Sequence, residues 1–190
     1  MKTVNVMITG VGGQGSLLAS KLLGRLLVDR GYDVKVSEVH GMSQRGGSVV
    51  TYVRFGDKVY SPIVDLGEAD YIVSFEKLEA ARYAPYLKEG GRIIVNTQQI
   101  DPMSVVTGKE SYPADILEEL VAKGITVDGL DALSLAREAG SAKAVNIVLM
   151  GRLAHYFDIP YDAWIEAIRS TVAPRFVEMN LKAFALGYNG

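Results

Sequence analysis

The first apolar run of the chain, Val4-Asn5-Val6-Met7-Ile8-Thr9, reads as a short buried strand, and glycines follow it at once. From Ser16 to Arg30 the apolar positions fall at Leu17, Leu18, Leu22, Leu23, Leu26 and Leu27, a helical spacing that Gly31 ends. Asp33 to Val39 alternates as a second strand. Strand, helix and strand in about 35 residues form a βαβ unit, which implies parallel pairing of its two strands and a right-handed crossover. Further strands are expected at Ser48–Phe55, with a Gly56-Asp57 turn leading into Val59-Tyr60, and then at Asp70–Phe75 and Arg92–Thr97. Between the last two the pattern predicts a helix from Glu76 to Lys88, stopped by Gly90-Gly91. Residues 101–113 are turn-rich, a helix is expected over 114–123 and a last short strand over 125–130. Beyond Asp131 the spacing is helical throughout, roughly 131–139, 142–157, 161–172 and 174–186, with breaks at Pro160 and Pro174. The expectation is a Rossmann-like α/β fold, a mostly parallel sheet with helices on both faces and a helical C-terminal third. A single domain is expected over 1–190, its helical part from about residue 131.

Composition narrows the class. A hydrophobic fraction of 48% and a charged fraction of 22% are ordinary for a globular chain. The net charge is −2 and no Lys/Arg block occurs, which argues against a nucleic-acid footprint. No apolar run approaches the ~18 residues of a membrane helix, and the amino-terminal residues enter a strand directly, so a cytoplasmic protein is expected. The chain has no cysteine and only His40 and His155 as histidines. Iron–sulfur clusters are held by thiolates, so any such centre must belong to another chain, and a Cys/His zinc site is not expected.

Gly10-Val11-Gly12-Gly13-Gln14-Gly15 has the spacing G-x-G-x-x-G between a strand and a helix. Residues without Cβ permit the tight turn and the close approach of a ligand, and the unpaired amides of the helix start face an anion. Glu38 ends the second strand near where a dinucleotide fold carries its ribose-binding acid. A nucleotide site and simple helix–sheet packing both account for the motif. Gln14 is open to a ligand, a neighbouring chain or solvent.

The stretch Glu38 to Ser48 follows the second strand, and so emerges at the same carboxyl edge as the glycine turn. It gathers His40, Gly41, Met42, Gln44, Arg45, Gly46 and Gly47. Arg45 is suited to bidentate pairing with a phosphate or carboxylate. His40 can transfer protons, or serve as a structural hydrogen-bonding group.

Four segments in order carry a resemblance: Gly10–Gly15 (GVGGQG), Ser37–Val49 (SEVHGMSQRGGSV), Val53–Pro62 (VRFGDKVYSP) and Glu68–Arg82 (EADYIVSFEKLEAAR). Together with Ala139-Gly140 and Ala144-Val145-Asn146, they resemble the gamma-type domain of the 2-oxoacid:ferredoxin oxidoreductases. The wording of the second segment is similar to the small (beta) subunits of the indolepyruvate branch. The resemblance implies a large (alpha) partner subunit carrying thiamine diphosphate, Mg2+ and [4Fe-4S] clusters, with no cofactor held by this chain alone. It implies oxidative decarboxylation of an arylpyruvate with coenzyme A as co-substrate, the electrons passing to ferredoxin through the complex. It also implies that Gly10, Gly12, Gly13, Gln14, Gly15, His40, Gly41, Met42, Gln44, Arg45, Gly46 and Gly47 form a cofactor-binding or active-site edge facing the partner. No residue of this chain is assigned a catalytic step. An NAD(P)-dependent dehydrogenase and a non-catalytic nucleotide-binding module remain as alternatives.

Smaller features stay open on sequence alone. Glu79 and Arg82 are spaced for an i, i+3 pair, and Glu76 reads as a solvated or helix-starting residue, or as one facing the ligand edge. Asn96-Thr97-Gln98-Gln99 either lines that edge or makes a turn. Ser141 is expected as a helix cap. Tyr156, Phe157, Tyr161, Trp164, Phe176 and Phe184 divide between core and interface in a way that spacing does not reveal.

Overall fold

In a computed structural model, residues 2–40 and 46–190 are described. Strand β1 (Val4–Val11) is followed by α1 (Ser16–Asp29), β2 (Asp33–His40), β3 (Ser48–Gly56), β4 (Ala69–Ser74), α2 (Lys77–Tyr83) and β5 (Leu87–Asn96). Then come α3 (Met103–Val106), α4 (Ile116–Ala122), β6 (Thr126–Leu130), α5 (Ala132–Ala139), α6 (Val145–Ala154), α7 (Tyr161–Thr171) and α8 (Val177–Asn189). The strands form one sheet in the order β2-β3-β1-β4-β5-β6. The mostly parallel sheet with helices on both faces and a helical C-terminal third is as expected.

The pairing of β1 with β2 is not. β3 lies between them, antiparallel to both, with Gly10 opposite Val49 and His40 opposite Val49 on its other side. Only residues 41–47 separate β2 from β3, and a parallel return needs a crossover of about a dozen residues or more, so β2 and β3 close as an antiparallel pair. Of the two, it is β3 that the sheet places beside β1. β2 still runs in the same direction as β1, so its end and the glycine turn share one edge of the sheet.

Four details also differ. Val59 and Tyr60 form no strand; Val59 is instead held through its amide on Asp33 Oδ2 at 3.0 Å. The helix after β4 ends at Tyr83, because Pro85 follows in a short 3-10 turn over Ala84–Tyr86. The strand expected to start at Arg92 begins at Leu87 and runs through Gly90-Gly91. The expected helix over 142–157 opens as a 3-10 turn, Ala142–Ala144, before α6.

Alternation along β1 sorts the core. Val6 and Ile8 face the side covered by α1 and the C-terminal helices, and Met7 faces the side covered by α2 and α4. Helix α6 is buried on nearly every position, since it is enclosed between the sheet and α8. Trp164 and Phe184 are fully buried there, Tyr156 and Phe157 pack partly buried against them, and Tyr161 and Phe176 reach the surface. No helix among the described residues is long and apolar enough to cross a membrane.

Helices α6 and α8 meet backbone to backbone. A Cβ on Gly187 would lie 1.9 Å from the Val148 carbonyl oxygen, and one on Gly151 would lie 2.2 Å from that of Phe184. Neither obstacle is a side chain able to turn away. Gly187→Ala and Gly151→Ala are each expected to destabilise the chain by about 1–3 kcal/mol or more, read as a lower urea midpoint with circular dichroism.

Candidate functional site

The turn between β1 and α1 is built by four polar contacts and two backbone conformations. Gly13 and Gly15 sit at φ of 101° and 92°, in the left-handed region that side-chain-bearing residues avoid. At Gly15 a Cβ would also meet Asn146 Nδ2 at 2.8 Å. That amide donates to the Gly15 carbonyl at 3.2 Å, while Asn146 Oδ1 accepts from Ile147 N at 2.9 Å. Gln14, open to three readings in the sequence, is committed inside the chain. Its Oε1 accepts from Val11 N at 2.7 Å and its Nε2 donates to the Phe75 carbonyl at 3.2 Å. The turn is thereby tied to the end of β4 by one side chain and to the start of α6 by another.

The second loop joins the first through the backbone. Gly12 N donates to the Gly47 carbonyl at 2.8 Å, and Gly46 N donates to the Gly12 carbonyl at 3.4 Å. Gly10, Gly12, Gly13, Gln14, Gly15, Gly46 and Gly47 are therefore brought together, as their shared edge predicts. His40 closes β2 at this same edge. Gly41, Met42, Gln44 and Arg45 lie outside the described residues.

Two hollows flank the turn. One, of about 300 Å³, is lined by Gly12, Gly13, Ser16, Leu17, Glu38 and Val49 among others. The amides of Ser16 and Leu17, in the first turn of α1, have no backbone partner among the described residues, which is the arrangement that receives an anion or a neighbouring loop. The other, of about 490 Å³, lies between the turn and the C-terminal helices, with Gln98 and Lys143 on its wall. Ser141 caps the turn that carries Lys143, accepting from Lys143 N at 3.2 Å.

Beneath the second loop lies a group of buried carboxylates that sequence reasoning does not find. Glu76 is not solvated: it is 1% exposed. Its Oε2 caps α2 by accepting from Glu79 N at 3.0 Å, and its Oε1 accepts from Ile100 N at 3.2 Å and from the Tyr112 hydroxyl. Glu79 is 4% exposed. Its Oε2 accepts from Ser48 Oγ, and Oε1 pairs with Arg82 Nε at 3.2 Å, the expected i, i+3 pair. Burial pushes the Glu79 carboxyl above the usual range; Ser48 and Arg82 pull it back, and the Glu76 carboxylate adds to the rise. Burial, then the hydrogen bond to Glu76, holds the Tyr112 phenol well above its ordinary value. One signal was available: Glu76, Glu79, Ala80 and Tyr83 repeat at i, i+3, i+4 and i+7, which places both carboxylates on the stripe that faces the sheet. Asn96 belongs to the same buried layer, donating to the Phe75 carbonyl at 3.1 Å and accepting from Ala132 N at 3.1 Å. It makes a structural junction, and Gln98 alone of its turn is on the wall of the 490 Å³ hollow.

The sheet thus carries two glycine-rich segments, Gly10–Gly15 and Gly46-Gly47, joined at its carboxyl edge. The family model described as pyruvate ferredoxin/flavodoxin oxidoreductase matches residues 5–190, and the chain belongs to that family. It is similar to the indolepyruvate oxidoreductase subunit IorB of Pyrococcus horikoshii, at 48% identity over 98% of this chain and 95% of that protein. To the subunit of the same name from Thermococcus kodakarensis it is 46% identical, over 98% of this chain and 95% of that one. Its fold matches the crystal structure of a keto/oxoacid ferredoxin oxidoreductase gamma subunit from Geobacter sulfurreducens, with a TM-score of 0.73 at 23% identity, covering 98% of this chain and 96% of the other. The resemblance drawn from the four sequence segments is borne out. The chain is a subunit of a 2-oxoacid:ferredoxin oxidoreductase.

Two measurements test the buried layer. Tyr112→Phe removes the hydroxyl that donates to Glu76 and accepts from Leu78 N at 3.2 Å. It should cost about 1–3 kcal/mol in urea unfolding, the range for stranding a buried polar partner. For Glu79 the folded carboxyl is raised above its unfolded value, so its proton-bound form is the one the fold favours. Its stabilising contribution is full below the unfolded pKa and is lost as pH rises through the folded one. Relative to Glu79→Gln, the wild-type chain should therefore lose stability on going from about pH 4 to pH 8, read as a diverging pair of urea midpoints.

Proposed function

We propose that the chain is the small subunit of a complex that oxidatively decarboxylates an arylpyruvate, indole-3-pyruvate foremost, with coenzyme A. The products are the aryl-acetyl-CoA and CO2, with the electrons delivered to ferredoxin. Identity of 46–48% to indolepyruvate oxidoreductase subunits supports the substrate. The carrying observation for the site is the joined pair of loops, Gly12 to Gly46-Gly47, beside the open amides of Ser16 and Leu17. An edge of this kind is suited to a partner's loop or to an anionic group such as the phosphates of coenzyme A.

In this reading the large subunit carries thiamine diphosphate, Mg2+ and the [4Fe-4S] clusters, and this cysteine-free chain completes the edge beside them. Thiamine diphosphate supplies the carbanion chemistry of decarboxylation. Gln14 and Asn146 hold the turn in place, and both family segments, Gly10 to Gly15 and His40 to Gly47, face the partner. The complex works in the cytoplasm, residues 1–190 act as one domain, and the chain is inactive alone.

A second reading, an NAD(P)-dependent dehydrogenase, has one observation in its favour: Glu38 lines the same hollow as Gly12, Gly13 and Ser16. Against it stands β3, inserted where a dinucleotide fold pairs β2 directly with β1.

Reconstitution decides between them. Mixed with its large partner, the chain should support indolepyruvate- and coenzyme A-dependent reduction of an electron acceptor, with neither subunit active alone. Tight NAD binding by the colourless isolated chain would instead favour the dehydrogenase. Arg45→Ala should lower turnover or prevent assembly; an unchanged complex with unchanged activity would remove the second loop from the site.

A further inference from the structure

The Glu79 carboxylate connects elements that the sheet leaves separate. It sits on α2, which packs against the face of β1, β4 and β5, yet its Oε2 takes a hydrogen bond from Ser48, the first residue of β3. Ser48 is next in the chain to Gly47, whose carbonyl receives Gly12 N at 2.8 Å. A continuous path thus runs from α2 through Glu79 and Ser48 to the point where the two glycine loops meet. Tyr83 of the same helix stands 3.3 Å from Ser48 Oγ. Arg82 lies on the solvent side of the pair, and Glu76, Asp101 and Arg82 border a hollow of about 160 Å³ that Gly46 and Gly47 also line.

A neutral side chain of the same shape would accept the Ser48 hydrogen bond without placing a charge away from water. Burying a carboxylate here costs stability that its partners only partly return. The carboxyl is fixed through both oxygens, by Ser48 on one and Arg82 on the other.

We propose that Glu79 is a positioning residue of the active-site edge: one carboxyl oxygen holds Ser48 and so keeps Gly46-Gly47 seated on the glycine turn, while Arg82 holds the other. The claim about loop seating stands on the chain itself, and only its effect on turnover rests on the function proposed above. The groups that face Glu79 are Glu76 and Arg82 from α2 and its cap, and Ser48 from β3, whose Oγ also meets the Tyr83 hydroxyl; Asp101 lines the same hollow.

The test has an arm for each part. In the isolated chain, NMR hydrogen exchange at Gly12 and Gly46 reads the seating of the loops. Glu79→Ala and Ser48→Ala should each accelerate exchange at both amides about fivefold or more, the factor for one hydrogen bond of typical strength. Because Ser48→Ala leaves the buried charge paired with Arg82, it keeps the question answerable if Glu79→Ala does not fold. Glu79→Gln, which keeps an oxygen acceptor for Ser48, should hold exchange at both amides within about twofold of wild type. In the reconstituted complex, Glu79→Ala and Ser48→Ala should each lower kcat, and Glu79→Gln should restore it. Exchange within about twofold of wild type in both alanine variants, or a wild-type kcat in both, would overturn the proposal. A wild-type complex inactive on every arylpyruvate would count against the function and leave the exchange result standing.

Discussion

At the end of β1 the chain must turn into α1 within four residues while three other elements close on the same point. Absence of side chains is what makes that possible. A Cβ on Gly10 would meet Gln14 Oε1 at 2.9 Å and Phe75 Cβ at 3.0 Å, and one on Gly15 would meet the Asn146 amide. With those atoms missing, Gln14 folds back onto Val11 N and crosses to Phe75, and Asn146 reaches the carbonyl of Gly15. The strand end, the neighbouring strand and the C-terminal helices are thereby pinned to one turn. The position of every other group at the edge follows from it, since Gly12 is also the anchor for Gly46 and Gly47.

The polar layer below that edge works differently. Glu76 is bonded to Tyr112 and to the Glu79 amide, Glu79 to Ser48, and Asn96 to the Phe75 carbonyl and the Ala132 amide, which leaves little polar capacity for a ligand. They set where the loops sit. Groups able to meet an incoming molecule lie outside this layer: the first-turn amides of α1, and Gln98 and Lys143 across the turn. Such a division suits a subunit whose edge is completed from outside, because a rigid buried base holds the backbone of both loops while the outward surface stays open.

Legibility in the sequence followed the range of the interactions. The strand-to-helix turn, the amphipathic α1 and the proline-bounded C-terminal helices depend on spacing within a few residues, and all were predicted close to where they stand. The family, too, was legible, because its motifs are contiguous and occur in order. Failures came where a distant partner decides. The βαβ pattern predicts parallel pairing of β1 with β2, but β3 lies between them, a choice of the whole sheet that no local spacing encodes. Glu76 does start the helix and Glu79 does pair with Arg82, but their burial is imposed by Ile100, Tyr112 and Ser48, far away in the chain, and spacing does not show it.

By itself, then, the sequence determined that two glycine-rich loops exist, that they leave the same edge of an α/β sheet, and that the chain carries no thiolate for a metal cluster. Those are properties of local backbone freedom, strand direction and composition. Only the tertiary structure decided that the loops touch, that Gln14 is a brace and not a free ligand group, and that two carboxylates lie beneath them out of water. Each of these depends on which atoms a fold brings within about 3 Å of one another, and no spacing along one segment encodes that distance.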